Sequence, residues 1–132
     1  GSAPPVPVIE DDTYNVVHAA DAALVASGTA ALETALLGTP MVIMYRVSRL
    51  TFALARMLVR VEHIGMPNII LERRVFPELL QGDVSCEKLV AAVNDVAARR
   101  EELAAALATL RGKLGEPGAA ARAARMALEL IA

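Results

Sequence analysis

Between Ala22 and Arg46 the apolar and polar positions alternate between two patterns. Ala22 to Ala26 is an unbroken apolar run, short enough for one buried strand, and Ser27-Gly28-Thr29 interrupts it. Beyond the interruption Leu32, Ala35 and Leu36 recur at the three- and four-residue spacing of one buried helical face, which predicts a helix over Ala30 to Leu37. Gly38 is placed to stop that helix, and Pro40 keeps the chain from continuing it. Met41 to Tyr45 then reads as a second buried strand. Strand, glycine turn, helix and strand make a βαβ unit, so the two strands are expected to be adjacent and parallel.

The flanking patterns are less regular. Ala3 to Pro7 is proline-rich and extended, and Val6 to Ile9 reads as a short strand. A short helix carries Tyr14, Val17 and His18 up to Ala20, with His18 a packed surface histidine. Ser48 is placed to cap a helix from Arg49 to about Arg60. Arg49, Arg56 and Arg60 share one arc of that helix, opposite Leu50, Leu54, Met57, Leu58 and Val61. Glu62 to Leu71 reads as a loop leading to a short apolar strand or turn. Val75 to Gln81 reads as a short helix with Pro77 in its first turn, broken by Gly82-Asp83. From Ser85 the chain is helical. Leu89, Val90, Val93 and Val96 mark one helix, and Leu103, Leu107, Leu110 and Leu114 a second that ends at Gly115 to Gly118. Ala119 to Ile131 makes a third, alanine-rich enough to predict close packing. These helices are expected to cover apolar surface that the sheet leaves open.

The fold class is therefore α/β: a small parallel sheet with a Rossmann-like βαβ unit, plus C-terminal helices. If Val6 to Ile9 inserts beside Ala22 to Ala26, the sheet has three or four strands. The alternative is a homodimer paired through the bare edge of the Ala22 strand.

Composition narrows the functional classes. The 132 residues suit one domain or part of a larger one, and Gly1-Ser2 resembles the scar of a cleaved tag, leaving residues 3–132 as the domain. A formal charge of -2 gives no general reason to expect nucleic acid as a partner. One cysteine, Cys86, excludes a disulfide framework and a thiolate metal cluster. No apolar run reaches the length of a membrane span and no signal peptide is visible, so a cytoplasmic location is the expectation.

The glycine turn carries the chemistry. Gly28 lets a ligand approach the backbone, and the first-turn N–H groups of the following helix favour phosphate. Ser27 and Thr29 add hydroxyls. Glu33, one turn beyond Thr29, could accept hydrogen bonds from the vicinal hydroxyls of a sugar. The competing reading makes Ser27 and Thr29 helix caps and Glu33 a solvated surface residue. Asn68, directly after Pro67, has a side chain available to read a base or a backbone. No histidine falls in this site, and the three C-terminal helices contain no catalytic constellation.

The ordered set Ala26-Ser27-Gly28-Thr29-Ala30-Ala31-Leu32-Glu33, Gly38-Thr39-Pro40-Met41-Val42 and Tyr45-Arg46 is similar to the donor-binding half of GT-B glycosyltransferases. Pro67-Asn68-Ile69-Ile70, Arg73 and Pro77-Glu78-Leu79-Leu80-Gln81 narrow the resemblance to the lipid-A-disaccharide synthase family, from about Val6 to the end. Where that family usually has Arg-Glu, this chain has Arg73-Arg74, so no carboxylate role is carried over there.

The resemblance implies an inverting hexosyltransferase of lipid A biosynthesis. It would join UDP-2,3-diacylglucosamine to 2,3-diacylglucosamine 1-phosphate and release UDP. This chain would be a partial GT-B C-terminal domain, lacking the acceptor domain with its general base and therefore inactive alone. Ser27, Gly28 and Thr29 would hold the diphosphate without a metal or cofactor, and Glu33 the ribose. Asn68, Glu78 and Gln81 would face the uridine or sugar, with Arg46 and Arg73 as charge partners. The implied location is peripheral, at the inner membrane of a Gram-negative-type bacterium, with Arg49, Arg56 and Arg60 against anionic lipid. The alternatives are another GT-B protein such as a UDP-sugar epimerase, or a non-enzymatic α/β interaction module.

Overall fold

The computed structural model describes residues 6–26, 28–48, 51–52 and 62–131. Ser27, the arginines Arg49, Arg56 and Arg60, and most of the helix expected between Arg49 and Arg60 lie outside the described residues.

Three strands form one parallel sheet in the order β1 (Ala23–Ala26), β2 (Met41–Tyr45), β3 (Glu78–Leu80). Ala23 pairs with Met41 and Val25 with Ile43, while Ile43 also pairs with Glu78 and Tyr45 with Leu80. The two strands of the βαβ unit are thus parallel neighbours, as the pattern requires. Met41, Val42 and Ile43 are all fully buried, because the central strand is covered on both faces. On β1 only Val25 is buried, and Leu24 stays 49% exposed at the open edge.

Helix α1 (Thr13–Ala19) precedes β1, and His18 packs as expected, its Nδ1 lying 2.9 Å from the Leu37 carbonyl. Helix α2 (Thr29–Leu37) links β1 to β2. It buries Ala31, Thr34 and Ala35 and leaves Leu36 exposed, so the contact face is turned from the expected Leu32, Ala35, Leu36 set toward small residues that permit close approach to the sheet. Gly38 ends α2 at φ 85°, where a left-handed residue closes the last turn onto the Ala35 and Thr34 carbonyls.

Four expectations are corrected. Val6 to Ile9 forms no strand and is exposed; Pro7 lacks the N–H a ladder needs, and the outer β1 edge has no paired strand among the described residues. Met66–Leu71 is a helix, α3, not a loop and strand, because Pro67 fits its first turn and Pro67, Asn68 and Leu71 fall on one buried face while Ile69 points out. Glu78–Leu80 is a strand, not a helix: the Pro77 carbonyl accepts from the Ile43 N–H at 2.8 Å, and a proline is tolerated just before a strand.

The last correction concerns the C-terminal helices. Ser85 caps α4 (Cys86–Ala98) through the Lys88 N–H, and α5 (Arg100–Leu114) buries Leu103, Ala106, Leu107 and Leu110. These two join the core as expected. Helix α6 (Ala119–Ile131) does not: none of its residues is buried, and its wide apolar face meets no sheet surface among the described residues.

Candidate functional site at the carboxyl edge of the sheet

In a parallel sheet the connecting helices run back against the strands, so strand carboxyl ends and helix amino ends meet at one edge. Here that edge collects Gly28 and Thr29 after β1, Arg46 to Ser48 after β2, and Gln81 after β3, while Ile64 and Gly65, ahead of α3, are tied to Glu78 at the start of β3.

Gly28 is the N-cap of α2 at φ 139° and ψ -157°, a conformation essentially restricted to glycine. A Cβ placed there would meet nothing within 4 Å, so the space above the turn is open. Having no side chain, the N-cap residue leaves the first-turn N–H groups of Thr29 and Ala30 facing that space. Glu33, one turn on, is exposed, and its Oε2 accepts from the Tyr14 hydroxyl at 3.3 Å. A recess of about 260 Å³ lies beside Glu33 between α1, β1 and α2, lined by Tyr14, Val17, Leu24, Ala30 and Glu33 among others and not by Gly28 or Thr29. Arg46 is exposed directly beyond β2.

Gln81 sits at φ 51° immediately after β3, a left-handed conformation uncommon for a residue with a side chain. Its Oε1 accepts from the Val47 N–H at 3.1 Å, and its Nε2 is buried with no partner.

Asn68 and Glu78 are turned inward, against the expectation that they face a ligand. Asn68 is fully buried, at 0% exposure, and uses all of its hydrogen-bonding capacity inside the chain. Its Nδ2 donates to the Phe76 carbonyl and to Glu78 Oε1, both at 2.8 Å, and its Oδ1 accepts from the Val75 and Phe76 N–H groups at 3.0 and 2.9 Å. Glu78, 8% exposed, accepts from the Ile64 and Gly65 N–H groups, each at 3.0 Å. The pair therefore straps the start of α3 to β3.

Arg73 is not brought to this edge either. It lies between α3 and β3, beside a recess of about 320 Å³ that it shares with Arg74, Arg99 and Glu102. There the Arg99 guanidinium, by hydrogen bond and charge, holds the Glu102 carboxyl below its ordinary range. Asp83 is lowered likewise by its contact with Lys88. Among the described residues no three His, Cys, Asp or Glu side chains are grouped to hold a metal ion.

The pattern of apolar positions missed one polar residue ahead of α3. His63 was placed in a loop with no role, yet it stands at the amino end of α3, with its Nδ1 buried and unpartnered. Reading Pro67 as a first-turn proline would have brought it there.

A family model described as Lipid-A-disaccharide synthetase matches residues 5–124. The chain is 50% identical over 131 residues to the lipid-A-disaccharide synthase of Syntrophus aciditrophicus, covering 97% of this chain and 34% of that protein. It is 46% identical over 127 residues to the synthase of Myxococcus xanthus, covering 94% and 33%. With the synthase of Geobacter sulfurreducens the identity is 43% over 129 residues, covering 96% and 34%. The chain thus spans about a third of the length of these curated relatives.

Proposed function

The chain belongs to the lipid-A-disaccharide synthetase family, and from that premise we propose that it is the UDP-sugar-binding part of a glycosyltransferase of lipid A biosynthesis. The reaction assigned to the whole polypeptide joins UDP-2,3-diacylglucosamine to 2,3-diacylglucosamine 1-phosphate. The bond from the sugar's anomeric carbon to the UDP oxygen breaks as a bond to the acceptor's 6-hydroxyl forms, with inversion, and the hydroxyl proton passes to a base. That base and the acceptor site belong to the remainder of such a polypeptide, and this chain by itself is not expected to turn over the lipid substrates.

The observation that carries the reading is positive-φ Gly28 at the uncapped amino end of α2, one turn below Glu33. The first-turn N–H groups and the helix dipole would hold the diphosphate and stabilise the charge that develops on departing UDP. Ser27 and Thr29 hydroxyls would add to that cradle. Glu33 would accept from the ribose hydroxyls, with Arg46 and Gln81 completing the rim. Asn68 and Glu78 act one step back, as the strap that fixes the edge. The lipid character of the substrates and the basic arc expected from the spacing of Arg49, Arg56 and Arg60 support attachment to the inner-membrane surface. No helix among the described residues is long and apolar enough to cross a membrane.

Titration of UDP into the chain, followed by amide chemical shifts, tests the reading. Gly28, Thr29 and Glu33 are expected to shift first. Changes confined to residues after Ser85 would overturn the site.

A further inference from the structure

Arg73 belongs to the recognisable stretch of the sequence, yet the fold carries it away from the candidate UDP-sugar site. It precedes β3 beside Arg74, whose Nη2 donates to the Glu78 carbonyl at 2.9 Å, at the amino end of that strand. Arg99, between α4 and α5, returns to the same place. The three arginines line one open recess of about 320 Å³ together with Glu102 and Thr109. This recess lies toward the amino edge of the sheet, whereas the Gly28 turn lies at the carboxyl edge.

The three side chains are held differently. Arg99 is committed within the chain: its Nε and Nη2 donate to the two Glu102 oxygens at 3.0 and 2.9 Å, and its Nη1 to Asp95 Oδ2 at 3.0 Å. A guanidinium gripped in this way is fixed in orientation and offsets the Glu102 charge. Arg74 is anchored by one bond to a neutral carbonyl, which leaves its charge and most of its N–H groups unanswered. Arg73 is exposed and makes no hydrogen bond or ion pair among the described residues. Its charge still reaches the recess, because the Glu102 carboxyl is lowered first by Arg99 and further by Arg73.

Three positive charges and one negative charge therefore line the recess, an excess of two. Like charges gathered on one wall repel, and an entering anion relieves that repulsion. A phosphate monoester carries a charge of about −1.5 to −2 at neutral pH and offers three acceptor oxygens. A carboxylate or a phosphodiester brings a single charge. Guanidinium forks also match phosphate oxygens in geometry, donating N–H bonds in pairs. We propose that Arg73 and Arg74, braced by the Arg99–Glu102 pair, form a binding site for a phosphate monoester at the amino edge of the sheet. The site is separate from the UDP-sugar reading and does not depend on it.

Titration of glycerol 3-phosphate into the chain, followed by amide and guanidinium Nε–H signals, tests this. Dimethyl phosphate and acetate are the singly charged comparisons. Saturable shifts are expected at Arg73, Arg74 and Arg99, with glycerol 3-phosphate bound at least about fivefold more tightly than either comparison. Arg73→Gln, which breaks no bond within the described residues, should weaken binding about three- to tenfold. Arg73→Lys keeps the charge without the fork and should recover part of that loss. Equal affinity for the three anions, absence of saturation, or an unchanged titration in Arg73→Gln overturns the site. Co-sedimentation with phosphatidylcholine vesicles then identifies the source of the phosphate, using Arg73→Gln with Arg74→Gln. Lower retention of this double variant on vesicles containing phosphatidic acid, with retention on phosphatidylglycerol vesicles unchanged, makes the ligand a lipid head group. Unchanged retention on both makes it a soluble phosphate ester, and an equal drop on both overturns the preference for a monoester. Should the double variant not fold, Arg73→Gln alone carries both assays.

Discussion

Replacing Asn68 by alanine removes four buried hydrogen bonds at once and leaves their partners in place. The Val75 and Phe76 N–H groups lose the acceptor they share, the Phe76 carbonyl loses a donor, and Glu78 Oε1 keeps only the Gly65 N–H. A buried donor left without an acceptor costs about 1–3 kcal/mol. The carbonyl and carboxylate have second lone pairs and lose less. The Val75 N–H keeps the Arg73 carbonyl at 3.0 Å, so one stranded N–H, that of Phe76, plus a small cavity puts the loss at about 2–3 kcal/mol. That is a large part of the roughly 5–15 kcal/mol that stabilises an ordinary domain. At roughly 3–5 °C per kcal/mol for a chain of this size, the midpoint of thermal unfolding should fall by about 6–15 °C.

Urea and thermal unfolding followed by circular dichroism measure this directly. Ile69→Ala is the control, one position along on the exposed side of α3, and should cost under about 1 kcal/mol. Asn68→Asp sharpens the comparison. It keeps acceptors for the Val75 and Phe76 N–H groups but sets a second carboxylate against Glu78. Like charges raise the carboxyl pKa of such a pair in the folded state. The deficit of this variant should therefore grow as pH rises above the ordinary carboxylate range and shrink on acidification. If Asn68→Ala costs no more than Ile69→Ala, and the amide signals of Ile64 and Gly65 stay in place, the strap does not bear the load assigned to it.

Two further outcomes are expected. Asp83 and Glu102 are held below their ordinary range by Lys88 and Arg99, so their contribution is present above that range and lost as pH falls through the lowered values. Asp83→Asn with Glu102→Gln should flatten this part of an acid-unfolding curve, weakly and less in high salt because both pairs are exposed; an identical curve in the double variant contradicts the assignment. Separately, Arg56→Glu with Arg60→Glu in the full-length polypeptide should release it from anionic vesicles in a sedimentation assay, and unchanged binding makes that helix an ordinary surface element.

Legibility along the chain followed the length of the pattern. The βαβ unit was readable because β2 is buried on both faces and so shows as an unbroken apolar run, and because Gly38 and Pro40 mark the end of α2. Leu103 to Leu114 was readable for the same reason, being about three turns of one repeated face. The segment from Met66 to Leu80 was not. Its elements are six and three residues long, too short for periodicity to separate helix from strand. Pairing with β2 decides the state of β3, and packing against α2 and α5 decides that of α3, neither of which is written locally. The orientation of α2 was misread by part of a turn because alanines and a threonine, not leucines, make its contact. At the candidate site the Gly28 turn and the place of Glu33 one turn on were legible from spacing, which by itself left the helix-cap reading open. Gln81 and His63 become informative only through what surrounds them, since an unpartnered buried atom has no signature in sequence.

Exchange of side-chain roles explains why the string Pro67-Asn68 through Pro77-Glu78-Leu79-Leu80-Gln81 is recognisable at all. In sequence it looks like a set of ligand contacts, being polar residues interleaved with apolar ones near a glycine turn. In the fold Pro67 starts α3, Asn68 closes the loop back onto Val75 and Phe76, and Glu78 fixes the N–H groups ahead of α3. Three of the polar residues that single the string out thus divide their work. Asn68 and Glu78 spend every bond internally, and Gln81 alone ends with a donor to spare. A buried carboxylate and a buried amide are costly to keep unless fully paired, so two such residues ten positions apart tolerate little substitution even without touching a ligand. Loss of either should therefore lower stability and binding together. Gln81→Gly should lower binding while removing the Cβ penalty at φ 51°, which offsets the acceptor lost to the Val47 N–H, so binding falls with little change in stability and a contact is separated from a strut.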